Sequence, residues 1–143
     1  MKALSVRNPW AHEILCGVKE YEFRTWQTDY RGDLLICSSA NPKIKNTISG
    51  HALIVVRLND IFKVTAKNYK DFGLDEKPDG KLYAWQLTNG RVIKPFPVKG
   101  KLNFFNVDDN LIDIIDNGDD SLTNEEAEAL YIQYIEPLLY RGK

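Results

Sequence analysis

The sequence is poor in the residues that metal and redox chemistry need, with two cysteines and two histidines among 143 residues. Cys16 falls in an expected helix and Cys37 in an expected apolar strand, and they lack the close spacing of a metal clip or dithiol motif. Both therefore read as buried thiols of an intracellular protein. His12 and His51 complete no ligand cluster, so neither a metal nor a cofactor is expected. Long apolar runs are missing too. Leu53-Ile54-Val55-Val56 is far too short to cross a bilayer, and the first residues hold no apolar signal core, which predicts a cytoplasmic protein with no membrane partner. Internal repeats and low-complexity tracts are absent. The length predicts one domain, a monomer is expected, and a hydrophobic fraction of 43% suffices for a single core.

Charge of one sign is scarce only on average. The net charge of −1 divides at Val107: residues 1–107 carry 17 Lys and Arg against 10 Asp and Glu, or +7, and residues 108–143 carry 2 against 10, or −8. A basic body suits a polyanion, because each phosphate neutralised releases condensed counterions. The acidic segment, with Asp116, Asp119 and Asp120, suits an intramolecular competitor at the rim of such a site, or simply a solvated loop.

The densest chemistry lies in the octapeptide Gly17-Val18-Lys19-Glu20-Tyr21-Glu22-Phe23-Arg24. Before it, Trp10, Ala11, Ile14, Leu15 and Val18 have the spacing of one helix face, with Asn8 as N-cap, Pro9 in the first turn and Gly17 at the stop. From Glu20 the period changes to two, which puts Glu22, Arg24 and Trp26 on one strand face and Tyr21 and Phe23 on the other. Lys19 leaves the helix end beside them, and Arg31 follows one turn later. A lysine, a carboxylate and a guanidinium around a concavity suit either the grip of an anionic or base-like ligand or proton transfer by Lys19 and Glu22. Among the aromatics, Trp26 is the expected stacking partner for a base, and Trp10 and Trp85 are expected in the core.

Six or seven strands are expected. Residues 33–39 read as a strand buried on both faces, and residues 38–50 as a mobile polar loop that gates the site. Residues 51–58 form a further strand running on toward Val64, and Thr65 caps a short helix through Tyr69 and Phe72 that stops at Gly73. Asn89-Gly90 marks a hairpin between strands at 82–87 and 91–93, Pro95 and Pro97 mark an edge segment, and residues 101–107 close a barrel. In the tail, Thr123 and Glu126 form a capping box before a helix whose apolar stripe runs from Ala127 to Leu139 and is weakened at Pro137.

The ordered combination of Leu4-Ser5-Val6-Arg7-Asn8-Pro9-Trp10-Ala11, the spacing G-x-K-x-x-E-x-R over residues 17–24, Tyr30-Arg31-Gly32, Tyr83-Ala84-Trp85-Gln86-Leu87 and Val98-Lys99-Gly100-Lys101 resembles the ASCH domains of the PUA-like superfamily, over roughly residues 2–107. The resemblance implies an α+β fold, a small PUA-like β-barrel with flanking helices over residues 1–107, and the charge and apolar stripe of residues 108–143 add an acidic C-terminal extension whose helix packs on the barrel. It implies a cleft that binds RNA, single-stranded, or a nucleotide-like small molecule, with Lys19, Glu22 and Arg24 as ligand contacts, to which the shared strand face adds Trp26 and the next turn Arg31. Relatives of the family include amidohydrolases that deacetylate N4-acetylcytidine with a lysine, a threonine and a glutamate. Lys19 matches the lysine, but Glu22 holds the threonine's place and no residue of this chain is assigned to the distant glutamate, so binding ranks above catalysis.

Overall fold

The computed structural model describes residues 1–17 and 19–142. Seven strands, β1 (Lys2–Val6), β2 (Tyr21–Arg24), β3 (Gly32–Ser38), β4 (His51–Lys63), β5 (Tyr83–Pro97), β6 (Phe104–Asn106) and β7 (Ile114–Asp116), make one mixed sheet with two helices, α1 (Trp10–Leu15) and α2 (Asn124–Leu130), among the described residues. The strand order is β2-β5-β4-β3-β1-β6, with β7 paired to the second half of β5. Strands β1 and β3 run parallel, and the other described pairs are antiparallel. The sheet curls into a half-barrel, since Trp26, just past β2, touches Phe104 of β6 with ring centroids 5.2 Å apart although the two strands lie at opposite ends of the order.

β3 is central, and its consecutive apolar residues serve both faces. Leu34 and Ile36 join the core inside the curl, and Leu35 and Cys37 pack outside it with Ala3, Val55 and Phe105. Burying Leu34, Leu35 and Ile36 completely contributes roughly 5–9 kcal/mol before chain ordering is subtracted. Helix α1 is too short to persist alone and is held by Ala11, Ile14 and Leu15, all buried in the inner core. Asn8 caps it as expected but from one position earlier: its Oδ1 accepts from the His12 amide at 3.2 Å, while its Nδ2 donates to the Ile48 carbonyl at 2.8 Å. Gly17 turns the chain out of the helix with φ of 75°. Val18, expected on the apolar face of that helix, lies outside the described residues.

Two expectations are corrected. Asn89-Gly90 does not make a hairpin, because β5 runs straight through it. Between the pairs Arg57↔Thr88 and Val55↔Arg91 strand β4 advances two residues and β5 three, so Asn89, with φ of 51°, is absorbed as a bulge. Pro95 and Pro97 lie on an edge as expected, since β5 carries them past the point where β7 stops pairing at Val92 and Ile93, and among the described strands β4 alone pairs there, at Phe96 and Pro97. The loop over 38–50 is no free gate: Thr47 and Ile48 are buried, and the Asn46 and Tyr140 amides donate to the Tyr140 and Thr47 carbonyls, fastening it to the C-terminal segment.

The C-terminal stripe is most deeply buried toward its far end. The capping box forms as read from Thr123 and Glu126, but the helix widens to a π turn at Tyr131–Ile135 and tightens to a 3-10 turn at Glu136–Leu138 around Pro137. Ile135 is buried and Leu139 packs on the core, whereas Tyr131 and Leu138 remain exposed. Among the described residues no helix is long and apolar enough to cross a membrane.

Candidate functional site

The seam of the half-barrel, where the end of β1 faces β2 without pairing to it, holds a cleft of about 430 Å³. Ser5, Val6 and Arg7 line one side, and Glu22, Phe23 and Arg24 the other. Trp10 and Lys19 stand at the two ends of the α1 region, and Leu74 and Leu82, from the connection between β4 and β5, close the rim. Arg24 ties the seam together: its Nη2 donates to the Ser5 carbonyl at 2.8 Å and to Glu22 Oε2 at 3.1 Å. The other carboxylate oxygen of Glu22 accepts from the Phe23 amide at 3.1 Å, so this buried acid is held at both oxygens. Arg24 Nε is buried with no partner among the described residues, leaving a donor for which an acceptor in the cleft would compensate.

Lys19, Glu22 and Arg24 are thus brought together as expected. Lys19 Nζ lies 5.0 Å from the centre of the Phe23 ring, an attraction that keeps the ammonium at the cleft. With Arg7, the described residues of the cleft offer three cations against one carboxylate.

Trp26 and Arg31 are not brought there. Trp26 packs edge-to-face on Trp85 at 4.8 Å and on Phe104, inside the curl. Arg31 donates to the Thr28 and Tyr30 carbonyls and pairs with Asp60 at 3.5 Å. The exposed indole at the cleft is instead Trp10, 47% exposed, which exchanges its expected role with Trp26; Trp85 is fully buried as read. The acidic segment also lies elsewhere. Asp109 pairs with the N-terminal ammonium and Asp116 belongs to β7, and no described residue of 108–142 lines the cleft. The nearby carboxylates outside the cleft are Glu20 and Asp71, the latter on the 3-10 turn Tyr69–Phe72.

A family model for the ASCH domain matches residues 4–97. The chain belongs to the ASCH domain family. Solved ASCH structures from Zymomonas mobilis resemble it at 16% identity: a point mutant, in which a tyrosine of that protein is replaced by phenylalanine, with a TM-score of 0.48, covering 92% of this chain and 96% of that one, and another ASCH structure with a TM-score of 0.47, covering 99% and 97%. No curated protein matches. The α+β half-barrel is that of an ASCH domain, and the ASCH spacing Gly17…Lys19…Glu22…Arg24 forms one flank of the cleft.

Sequence reasoning missed Arg7 and Trp10 as cleft residues although both lie in the quoted ASCH segment. Trp10 fits the apolar helical spacing, but it is the first residue of the helix and has no preceding turn to cover it. Cys16 also departs from expectation: it is exposed, 3.4 Å from His12 Nε2, with burial of the sulfur raising its pKa and burial of the ring lowering that of His12. That pair lies away from the cleft and lacks the depressed thiol pKa of a reactive cysteine. Cys37 is buried, its thiol pushed up to about 12 by desolvation. Among the described residues no three His, Cys, Asp or Glu side chains are grouped to hold a metal.

Proposed function

We propose that this ASCH domain binds RNA or a nucleotide-like molecule in the seam cleft, with a base on Trp10 and a phosphate held by Arg7 and Lys19. The carrying observation is the exposed indole beside three cations in a cleft whose volume lies within the roughly 300–1,000 Å³ of small-ligand sites. Stacking on a tryptophan tolerates any base, and lysine or arginine supplies the phosphate contact. In fluorescence anisotropy with a short single-stranded RNA, Trp10→Ala is expected to weaken binding about tenfold, within the roughly 1–3 kcal/mol attributed to one base–aromatic stack. Lys19→Ala should weaken it and flatten the dependence of log affinity on log salt by about 0.7 if it neutralises one phosphate. Trp26→Phe should leave affinity unchanged. Equal affinity of Trp10→Ala, Lys19→Ala and the parent would remove the cleft from the binding site.

The hydrolytic alternative finds less support. Glu22 already accepts hydrogen bonds at both oxygens, and it occupies the position where the related amidohydrolases carry the hydroxyl of a threonine. Incubation with N4-acetylcytidine, followed by chromatography, is therefore expected to release little or no cytidine. Rapid release that Lys19→Ala abolishes would establish the hydrolase reading instead.

A further inference from the structure

Beside the cleft lies a second hollow of about 520 Å³, and the two share Trp10, Lys19, Phe23 and Leu74. They are neighbouring basins on either side of one partition. Lys19 belongs to that partition, its ammonium attracted by the Phe23 ring that both basins also share.

The outer basin has different chemistry from the cleft. It adds the carboxylates of Glu20 and Asp71 and the rings of Tyr21 and Phe72, which meet edge-to-face at 5.1 Å. Among its described residues Lys19 is the one cation, so an anion is favoured in the cleft and at the partition and disfavoured farther out. Carboxylates beside aromatic rings suit a planar base that donates N–H bonds, and cytosine, adenine and guanine present an exocyclic amine for this where uracil has a single ring N–H.

We propose that the outer basin is a second nucleoside subsite, which takes an amino-bearing base, cytosine, adenine or guanine, from the nucleotide adjoining the one in the cleft, with the linking phosphate at Lys19. This inference rests on the nucleotide reading of the cleft and narrows the ligand to a single-stranded dinucleotide step. Each basin alone falls in the volume range of a small-ligand site, which matches one nucleoside apiece.

Calorimetric titration with cytidine 5′-monophosphate and the dinucleotides CpC and UpU tests it. CpC is expected to bind about tenfold tighter than the mononucleotide, through the added stack, and about fivefold tighter than UpU, through the amine. In the Glu20→Ala, Asp71→Ala double variant the ratio of CpC to UpU affinity should fall to about one. Removing two negative charges strengthens both dinucleotides alike, so the ratio isolates base recognition. If CpC binds no tighter than the mononucleotide, or the parent does not distinguish CpC from UpU, the second subsite is overturned and the cleft reading stands. If neither the mononucleotide nor CpC binds, both fall.

Discussion

Replacing Trp85 with alanine is expected to lower the unfolding free energy by about 3–5 kcal/mol, as large-to-small changes of buried aromatic residues do. Trp85 is fully buried on β5, where it pairs with Glu22 of β2 on one side and Ile61 of β4 on the other. Its Nε1 donates to the Trp26 carbonyl at 3.2 Å, and its ring meets both Trp26 and Phe104. The residue therefore fills the curl and joins its two ends, so truncation leaves a cavity at the place where the half-barrel is held closed. Urea denaturation measures the loss. Trp85→Phe keeps most of the packing and leaves the Trp26 carbonyl without its donor, which should cost about 1–2 kcal/mol. A loss under about 1 kcal/mol for the alanine variant would mean that the seam is held by other contacts.

Glu22→Ala is expected to cost about 2–3 kcal/mol, less than a fully buried pair because the Arg24 side chain keeps 23% of its exposure. The substitution strands a guanidinium that still reaches the Ser5 carbonyl and frees the Phe23 amide. Glu22→Gln retains an acceptor for one of the two donors and removes the charge, so it should cost only about 1 kcal/mol. In the same variant the cleft gains a unit of positive charge, and anisotropy should show tighter RNA binding at low salt that converges with the parent at high salt, where screening erases the difference. Equal stability of Glu22→Ala and the parent would show that the pair is solvated and carries no part of the seam.

The parts of the fold legible in the sequence were those set by local period. The alternation through Tyr21–Arg24, the buried run of β3, the stop at Gly17 and the capping box of Thr123 and Glu126 each depend on a few neighbouring residues, and each stands where the spacing put it. The bulge at Asn89 was not legible, because a left-handed Asn followed by Gly serves a tight turn and a bulge alike. What decides between them is the long register of β5 against β4. The site divides in the same way. Lys19, Glu22 and Arg24 were found because they are close in sequence, whereas Trp26 was misplaced since the strand ends at Arg24 and its alternation no longer governs the indole. The opposite flank, Ser5, Val6 and Arg7, comes from β1 and its end, and only the curl brings it to face β2. The acidic segment was read on net charge alone, as a competitor at the cleft rim or a solvated loop, and β7 carries it to the other half of β5.

The position of β1 bears on how the chain is made. It lies between β3 and β6, so its second flank is satisfied only by Phe104–Asn106, about a hundred residues later in synthesis. Until those three residues leave the ribosome, residues 2–4 present open N–H and C=O groups beside the apolar Ala3 and Leu4, the kind of uncovered edge through which nascent chains associate with one another. A fragment ending at residue 97, where the family match stops, would keep every described cleft residue and yet expose that edge permanently. Soluble expression of this domain is thus expected to depend on a short strand that lies outside the cleft.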